Sequence, residues 1–201
     1  MNVTDLIKRK LEKVVTREQA EQAIKVLLAW AGDNPNREGL LETPKRVVKA
    51  FEEYFSGYLI DPYKDLEKTF GDVEGYDDMV IQKNISIYSH CEHHMAPIIG
   101  VAHVAYVPHE KVVGLSKLAR VVEAYSRRLQ TQERLTMEIA NTIFKGLKAQ
   151  GAAVSVDAVH HCMTSRGIKK HEATTVTNYF TGVFKESHNL QNRFLHYIGQ
   201  K

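Results

Sequence analysis

Cysteine is scarce in this chain of 201 residues: there are two, against ten histidines. Two thiols cannot build a disulfide scaffold. No apolar run reaches the ~18 residues of a membrane-spanning helix, and mean hydropathy is -0.33. Charge of one sign is lacking too. Lys and Arg total 27 and Asp and Glu 24, a net charge of +3, which gives no argument for a nucleic-acid partner. Met1-Asn2-Val3-Thr4-Asp5 has neither the basic region nor the apolar core of a signal peptide. That predicts a cytoplasmic chain, away from membranes, with reduced thiols. There is no repeat at a fixed period and no low-complexity stretch. What is present, 43% hydrophobic and 25% charged residues, fits one globular domain with room for an appended arm. The question is what the two thiols do.

The first third reads as helical. Leu6, Ile7, Leu11, Val14 and Val15 recur at helical spacing, then Ala20, Ala23, Ile24, Leu27 and Leu28. Thr16 with Glu18 and Gln19 predicts an N-cap between the two series. After the Gly32–Asn36 loop, Thr43 is the expected N-cap of a helix with Pro44 at its first position, running to about Phe55. Residues 58–77 are expected to be irregular. The pattern then changes to strand at Met79–Ile81 with Ile85–Tyr88, and again at Ile98–Val107. Two helices follow. Ser116 is the expected cap of one, with Leu118, Val121, Val122 and Tyr125 on one face. Thr131 opens the other, with Leu135, Ile139, Ile143 and Leu147 on one face and Gly151 ending it. Strand patterns return at Ala153–Val159 and Thr174–Phe180, and Ser187 caps a short terminal helix. The order β-β-α-α-β-β predicts an α+β layer: an antiparallel four-stranded sheet with two helices on one face.

Both cysteines stand beside histidines. Ser89-His90-Cys91-Glu92-His93-His94 joins the first two strands, and Cys91 and His94 have the spacing of a zinc pair. Val159-His160-His161-Cys162 ends a later strand, where residues two apart share a face. Two thiolates and one imidazole suit Zn2+ and leave a fourth position for water. One of His90, His93 or His160 could instead close the shell and make the site structural. A disulfide between Cys91 and Cys162 is the other competing use, disfavoured by compartment. A zinc-activated water would be a nucleophile near neutral pH. His93 and His160 would sit beside it, as proton carriers or as groups orienting a ligand. Lys117 and Arg120, preceded by Gly114-Leu115-Ser116, and Arg166 after Cys162 form a basic set. A helix N-terminus with such cations binds phosphate well, although solvated helix faces carry the same residues. Arg127, Arg128 and Arg134 could belong to an electropositive patch. Glu133, behind Gln132, either complements the helix dipole or accepts paired donors from a guanine-like edge.

Cys91-Glu92-His93-His94, Gly114-Leu115-Ser116-Lys117, Gln132-Glu133-Arg134-Leu135-Thr136 and His160-His161-Cys162 followed by Arg166-Gly167 together resemble the GTP cyclohydrolase I family. The likeness runs from Glu42-Thr43-Pro44-Lys45-Arg46-Val47 and Phe55-Ser56-Gly57 to Gly182-Val183-Phe184 and the terminal helix, in the family's order. The resemblance implies a tunnelling-fold catalytic domain over residues 78–201, preceded by a helical region over 1–77. It implies homo-oligomeric rings stacked into a decamer, with active sites between subunits. The implied reaction converts GTP and water to 7,8-dihydroneopterin triphosphate and formate, beginning with attack of activated water on C8. On this chain Cys91, His94 and Cys162 resemble the zinc ligands. His160 resembles the residue that protonates the opening ring, and His93 a partner in proton transfer. Glu133 resembles the anchor of the guanine edge, with Gln132 nearby. Lys117, Arg120 and Arg166 resemble the triphosphate clamp, with Ser116 adjacent. The alternative is a zinc-binding or regulatory paralogue of the same fold without turnover. His161 receives no role.

Overall fold

A computed structural model describes residues 15–70 and 76–200. The chain divides into two compact units, one ending at Ile60 and the next starting at Asp61. In the first, α1 (Arg17–Trp30) opens on a capping box. Thr16 Oγ1 accepts from the Gln19 amide, and the Thr16 amide donates to Gln19 Oε1 at 2.8 Å. The helix α2 (Thr43–Tyr54) carries Pro44 in its first turn, with Glu42 rather than Thr43 at the N-cap. Arg17 on α1 pairs with Glu52 on α2 at 2.7 Å. The helix expected over Leu6–Val15 lies, but for its last residue, outside the described residues.

The second unit holds β1 (Thr69–Phe70), β2 (Val80–Cys91), β3 (Pro97–Val107), β4 (Val112–Val113), α3 (Leu115–Ser126) and β5 (Leu129–Gln130). These are followed by α4 (Gln132–Leu147), β6 (Gly151–His160), α5 (His161–Thr164), β7 (Thr175–Phe180), α6 (Val183–Glu186) and α7 (His188–Tyr197). The four expected strands pair antiparallel in the order β2-β3-β6-β7. A strand no pattern announced, β5, joins the edge of β2 in parallel, matching His90 with Leu129 and Cys91 with Gln130. Residues 61–70 group with this unit because Leu66 is buried in its core and β1 pairs with β4.

The helical stripes do what their spacing predicts. Leu118, Val121, Val122 and Tyr125 of α3 and Leu135, Ile139, Ile143 and Leu147 of α4 are all buried. They pack with Ile87, Ile98, Ala102, Val104 and Tyr106 and with Ala152, Val154, Val156 and Ala158 of the sheet. Burying one such large side chain contributes about 1.5–3 kcal/mol, so the shared stripe fixes both helices to one face. A smaller cluster around Met79, Ala105, Val107, Ala153, Phe184 and Phe194 contains residues of β3, β6, α6 and α7. Gly100 lies between Ile87 on one neighbouring strand and Ala158 on the other. A Cβ there would collide with the Asp157 carbonyl oxygen and with Ala158.

Two expected helix boundaries move in this second unit as well. Gly114, not Ser116, is the N-cap of α3, and Ser116 sits in the first turn. The backbone closes there through Lys117 N to Gly114 O at 2.8 Å, with no side-chain cap. The helix α4 ends before Gly151, on Lys148 in a left-handed conformation with φ 48°. The Ala149 amide then reaches Phe144 O at 3.1 Å, closing the helix as a glycine cap would. Gly151 opens β6 instead. Among the described residues no helix is long and apolar enough to cross a membrane.

Candidate active site

β2 and β6 both flank β3, and each ends where a motif begins. Cys91 is the last residue of β2 and is buried. The chain then turns: Cys91 N donates to Ala96 O at 2.8 Å, and Met95 N donates to Cys91 O at 2.8 Å, with Met95 left-handed at φ 53°. His160 is the last residue of β6, and Cys162 belongs to the helical turn α5. The expectation that His160 and Cys162 share a strand face therefore fails, because β6 stops one residue too early. The turn nevertheless brings Cys162 to Cys91 and His94. The ligand atoms of these three lie within 4.8 Å of one another. Among the described residues this is the sole such group of His, Cys, Asp or Glu. Both thiols are free, so the disulfide reading is not realised.

The donor set fits a soft or borderline cation. Burial pushes the Cys162 thiol above its usual range, and the neighbouring Cys91 pushes it further. Two thiolates at this distance repel unless a cation lies between them, and a metal converts that cost into coordination. Among the described residues no fourth His, Cys, Asp or Glu joins the three, which leaves a position for solvent or substrate.

A cleft of about 200 Å³ opens here, lined by Cys91, His93, His94, Gln132, Glu133, His160 and Cys162 among others. His93 is exposed, with Nδ1 3.7 Å from Cys91 Sγ. His160 is fixed by Gln132. The Gln132 Nε2 donates to Thr175 O at 2.7 Å, Val156 O at 3.1 Å and Thr177 Oγ1 at 3.2 Å. Its nitrogen is thus committed, so its oxygen faces His160 Nε2 at 2.7 Å, and that ring nitrogen carries the hydrogen. Burial lowers the His160 pKa, with Glu133 acting weakly the other way. Gln132 is 1% exposed; what it brings to the cleft is the orientation of His160. Glu133 is exposed at the cleft, one residue beyond it.

The cations fall into two places. Arg166 is close enough to Cys162 to lower its pKa slightly. Ser116, Lys117 and Arg120 do not line the cleft. Lys117 Nζ and Arg120 Nη1 both reach Asp65 Oδ1 at 3.3 Å. The three arginines of the expected patch have local partners. Arg127 pairs with Glu123 at 3.6 Å and lies over the Tyr88 ring, Arg128 lies over Tyr125, and Arg134 pairs with Glu92 at 2.7 Å.

Comparison with known proteins places this geometry in context. The profile of a family described as GTP cyclohydrolase I matches residues 20–199. A "GTP cyclohydrolase 1" of Pelagibacter ubique (strain HTCC1062) is 66% identical over 188 residues, covering 94% of this chain and 93% of its own. That of Maricaulis maris (strain MCS10) is 58% identical, covering 90% and 88%. That of Hyphomonas neptunium (strain ATCC 15444) is 54% identical, covering 92% and 90%.

Proposed function

The chain belongs to the GTP cyclohydrolase I family, and we propose that Cys91, His94 and Cys162 hold the zinc ion around which its chemistry runs. It is a GTP cyclohydrolase, an enzyme of the first step of pterin synthesis, and its second unit is a tunnelling-fold domain. The observation that carries the metal reading is the convergence of two thiols and one imidazole from two separate motifs.

The reaction takes GTP and one water to 7,8-dihydroneopterin triphosphate and formate. Bound zinc supplies a water of lowered pKa as the nucleophile for C8. The protein's own groups do the rest. With its Nε2–H given to Gln132, His160 has Nδ1 as the ring position that accepts and returns a proton. Burial favours its neutral form, so it starts as a base and then acts as the acid that protonates the opening ring. His93, beside Cys91, is the second proton carrier. Glu133 accepts the paired N–H donors of the guanine edge, which would leave the opposite, C8 side of the base free to face Cys91, His94 and Cys162. The buried Gln132 contributes to substrate only through His160.

Lys117, Arg120 and Arg166 neutralise the triphosphate, with Ser116 as a hydroxyl donor. Ser116, Lys117, Arg120 and Arg166 are not among the residues that line the cleft of their own chain, which supports our reading that a second copy contributes to the clamp. That makes the working enzyme a homo-oligomer, in our reading a decamer with sites between subunits. Two reduced thiols as ligands fit a cytoplasmic enzyme.

The test is direct. Zinc-loaded protein incubated with GTP should release formate and leave a pterin that fluoresces after oxidation. Zinc-loaded protein that makes neither product would sink the reading. Analytical ultracentrifugation of the same sample should show an assembly, and a fully active monomer would refute the shared site.

A further inference from the structure

We infer that Arg134 is a positioning residue for the metal loop, holding Glu92 against β5 and so setting the separation of Cys91 and His94. The inference rests on the metal reading above and concerns how the loop is kept in shape for the ion.

Glu92 follows one proposed ligand and stands two residues before the other. It is tied once to β5 directly and once to Arg134 of α4, which itself holds β5. Its backbone amide donates to Gln130 O at 3.0 Å, and its carboxylate Oε2 accepts from Arg134 Nη2 at 2.7 Å. Arg134 cannot easily swing, because its other contacts fix the guanidinium plane. Nη2 also donates to Leu129 O at 2.8 Å, and Nε donates to Gln130 Oε1 at 2.9 Å. Gln130 is in turn fixed and 1% exposed. Its Nε2 donates to Glu138 Oε2 at 2.8 Å and to Tyr125 O at 3.2 Å, so its oxygen must face Arg134. A planar fork with three acceptors holds an orientation as well as a charge. A lysine could meet the carboxylate but not the other two acceptors in that geometry.

The loop needs such a hold. Glu92, His93, His94 and Met95 are exposed. His94 N lies 3.3 Å from Cys91 O, a long bond, and Met95 is left-handed, a conformation unfavourable for a residue with a Cβ. Groups behind metal ligands typically change metal affinity about 10–100-fold when removed. The Arg134–Glu92 pair is partly exposed, 43% and 32%, so its effect on global stability is small. Its effect on loop geometry is what the metal would register.

The experiment uses full-length protein with Arg134→Met, Arg134→Lys, Glu92→Gln and the Arg134→Met/Glu92→Gln double variant. Zinc affinity is read by competition with a chromophoric chelator. Cobalt-substituted protein reports ligand geometry through its visible absorption, and thermal melting reports the fold. We expect Arg134→Met and Glu92→Gln each to weaken zinc by about ten-fold or more. The double variant should be no weaker than the worse single, and Arg134→Lys should recover only part of the loss. Melting temperatures should stay close to wild type while the cobalt spectrum shifts. If Arg134→Met fails to fold, the exposed Glu92→Gln decides alone. Zinc held by Glu92→Gln within about two-fold of wild type, with an unchanged cobalt spectrum, would overturn the brace and leave the metal reading standing. Wild-type protein that binds no zinc would instead overturn the metal reading, and this inference with it.

Discussion

At the ends of β2 and β6 the reactive side chains are held by buried neighbours, whereas at the start of α3 the cations, a half-buried Lys117 and an exposed Arg120, meet one carboxylate. Cys91 is 6% exposed, and His160 is held by an amide whose every polar atom is used. Arg120 is 60% exposed, and it shares with Lys117 a single carboxylate oxygen at 3.3 Å. Metal coordination and proton transfer fail when atoms move by tenths of an ångström. Triphosphate binding tolerates long side chains that adjust to a diffuse charge. On the proposed reading the better-fixed groups serve the directional chemistry and the longer contacts serve the electrostatic one. Asp65 also matters here: Lys117 and Arg120 both hold it, and on the proposed reading a phosphate would compete for them.

That contrast can be broken by substitution. The largest effect is expected from Cys162→Ala, which should lose bound zinc and fall to background turnover together; retained zinc by elemental analysis would remove it from the ligand set. His160→Ala should keep its zinc and lose about 10²–10⁴-fold in kcat. Loss of metal there would move His160 from proton carrier to ligand. Next comes Gln132→Met, close in size but unable to hold the ring. A drop of up to about 10²-fold in kcat is expected, with KM for GTP nearly unchanged. A rise in KM alone would mean that Gln132 touches substrate after all. On the exposed side, Lys117→Ala should raise KM about ten-fold, the low end for losing one charge-assisted contact, with kcat preserved; steady-state kinetics showing the reverse split would erase the distinction between the two regions. The smallest effect belongs to Asp65→Asn. Its two contacts are long, at 3.3 Å, and share one oxygen; at about 0.2–1 kcal/mol for such a pair, apparent GTP affinity should change by no more than about five-fold, in the tighter direction if Asp65 competes with phosphate.

Much of the fold was legible because burial follows period. The stripes on α3 and α4 are buried residue for residue, and the caps at Thr16, Thr131 and Ser187 all form. The cysteine–histidine motifs were legible because ligand chemistry restricts residue type. Features set by tertiary neighbours were not. The two-residue strand β5 has no pattern of its own, and Lys148 ends α4 in a conformation its side chain does not favour. Gln132 read as a substrate-side residue because it adjoins Glu133; that its side chain, at the first residue of α4, reaches the carbonyls of β6 and β7 was not legible. Arg134 read as one charge of a surface patch; only the folded backbone shows it pointing at Glu92.

Gly100 touches no substrate, metal or reactive group, yet it is a condition for all of them. Its missing side chain lets β3 lie against the Asp157–Ala158 backbone, two positions before His160, while Ile87 of β2 lies on its other side. A Cβ there would wedge β3 and β6 apart and carry the two motif-bearing strand ends away from each other. In a survey of every single substitution, Gly100 would rank with Cys91 for intolerance. A reader of that survey would look in vain for its chemistry, because its contribution is a distance.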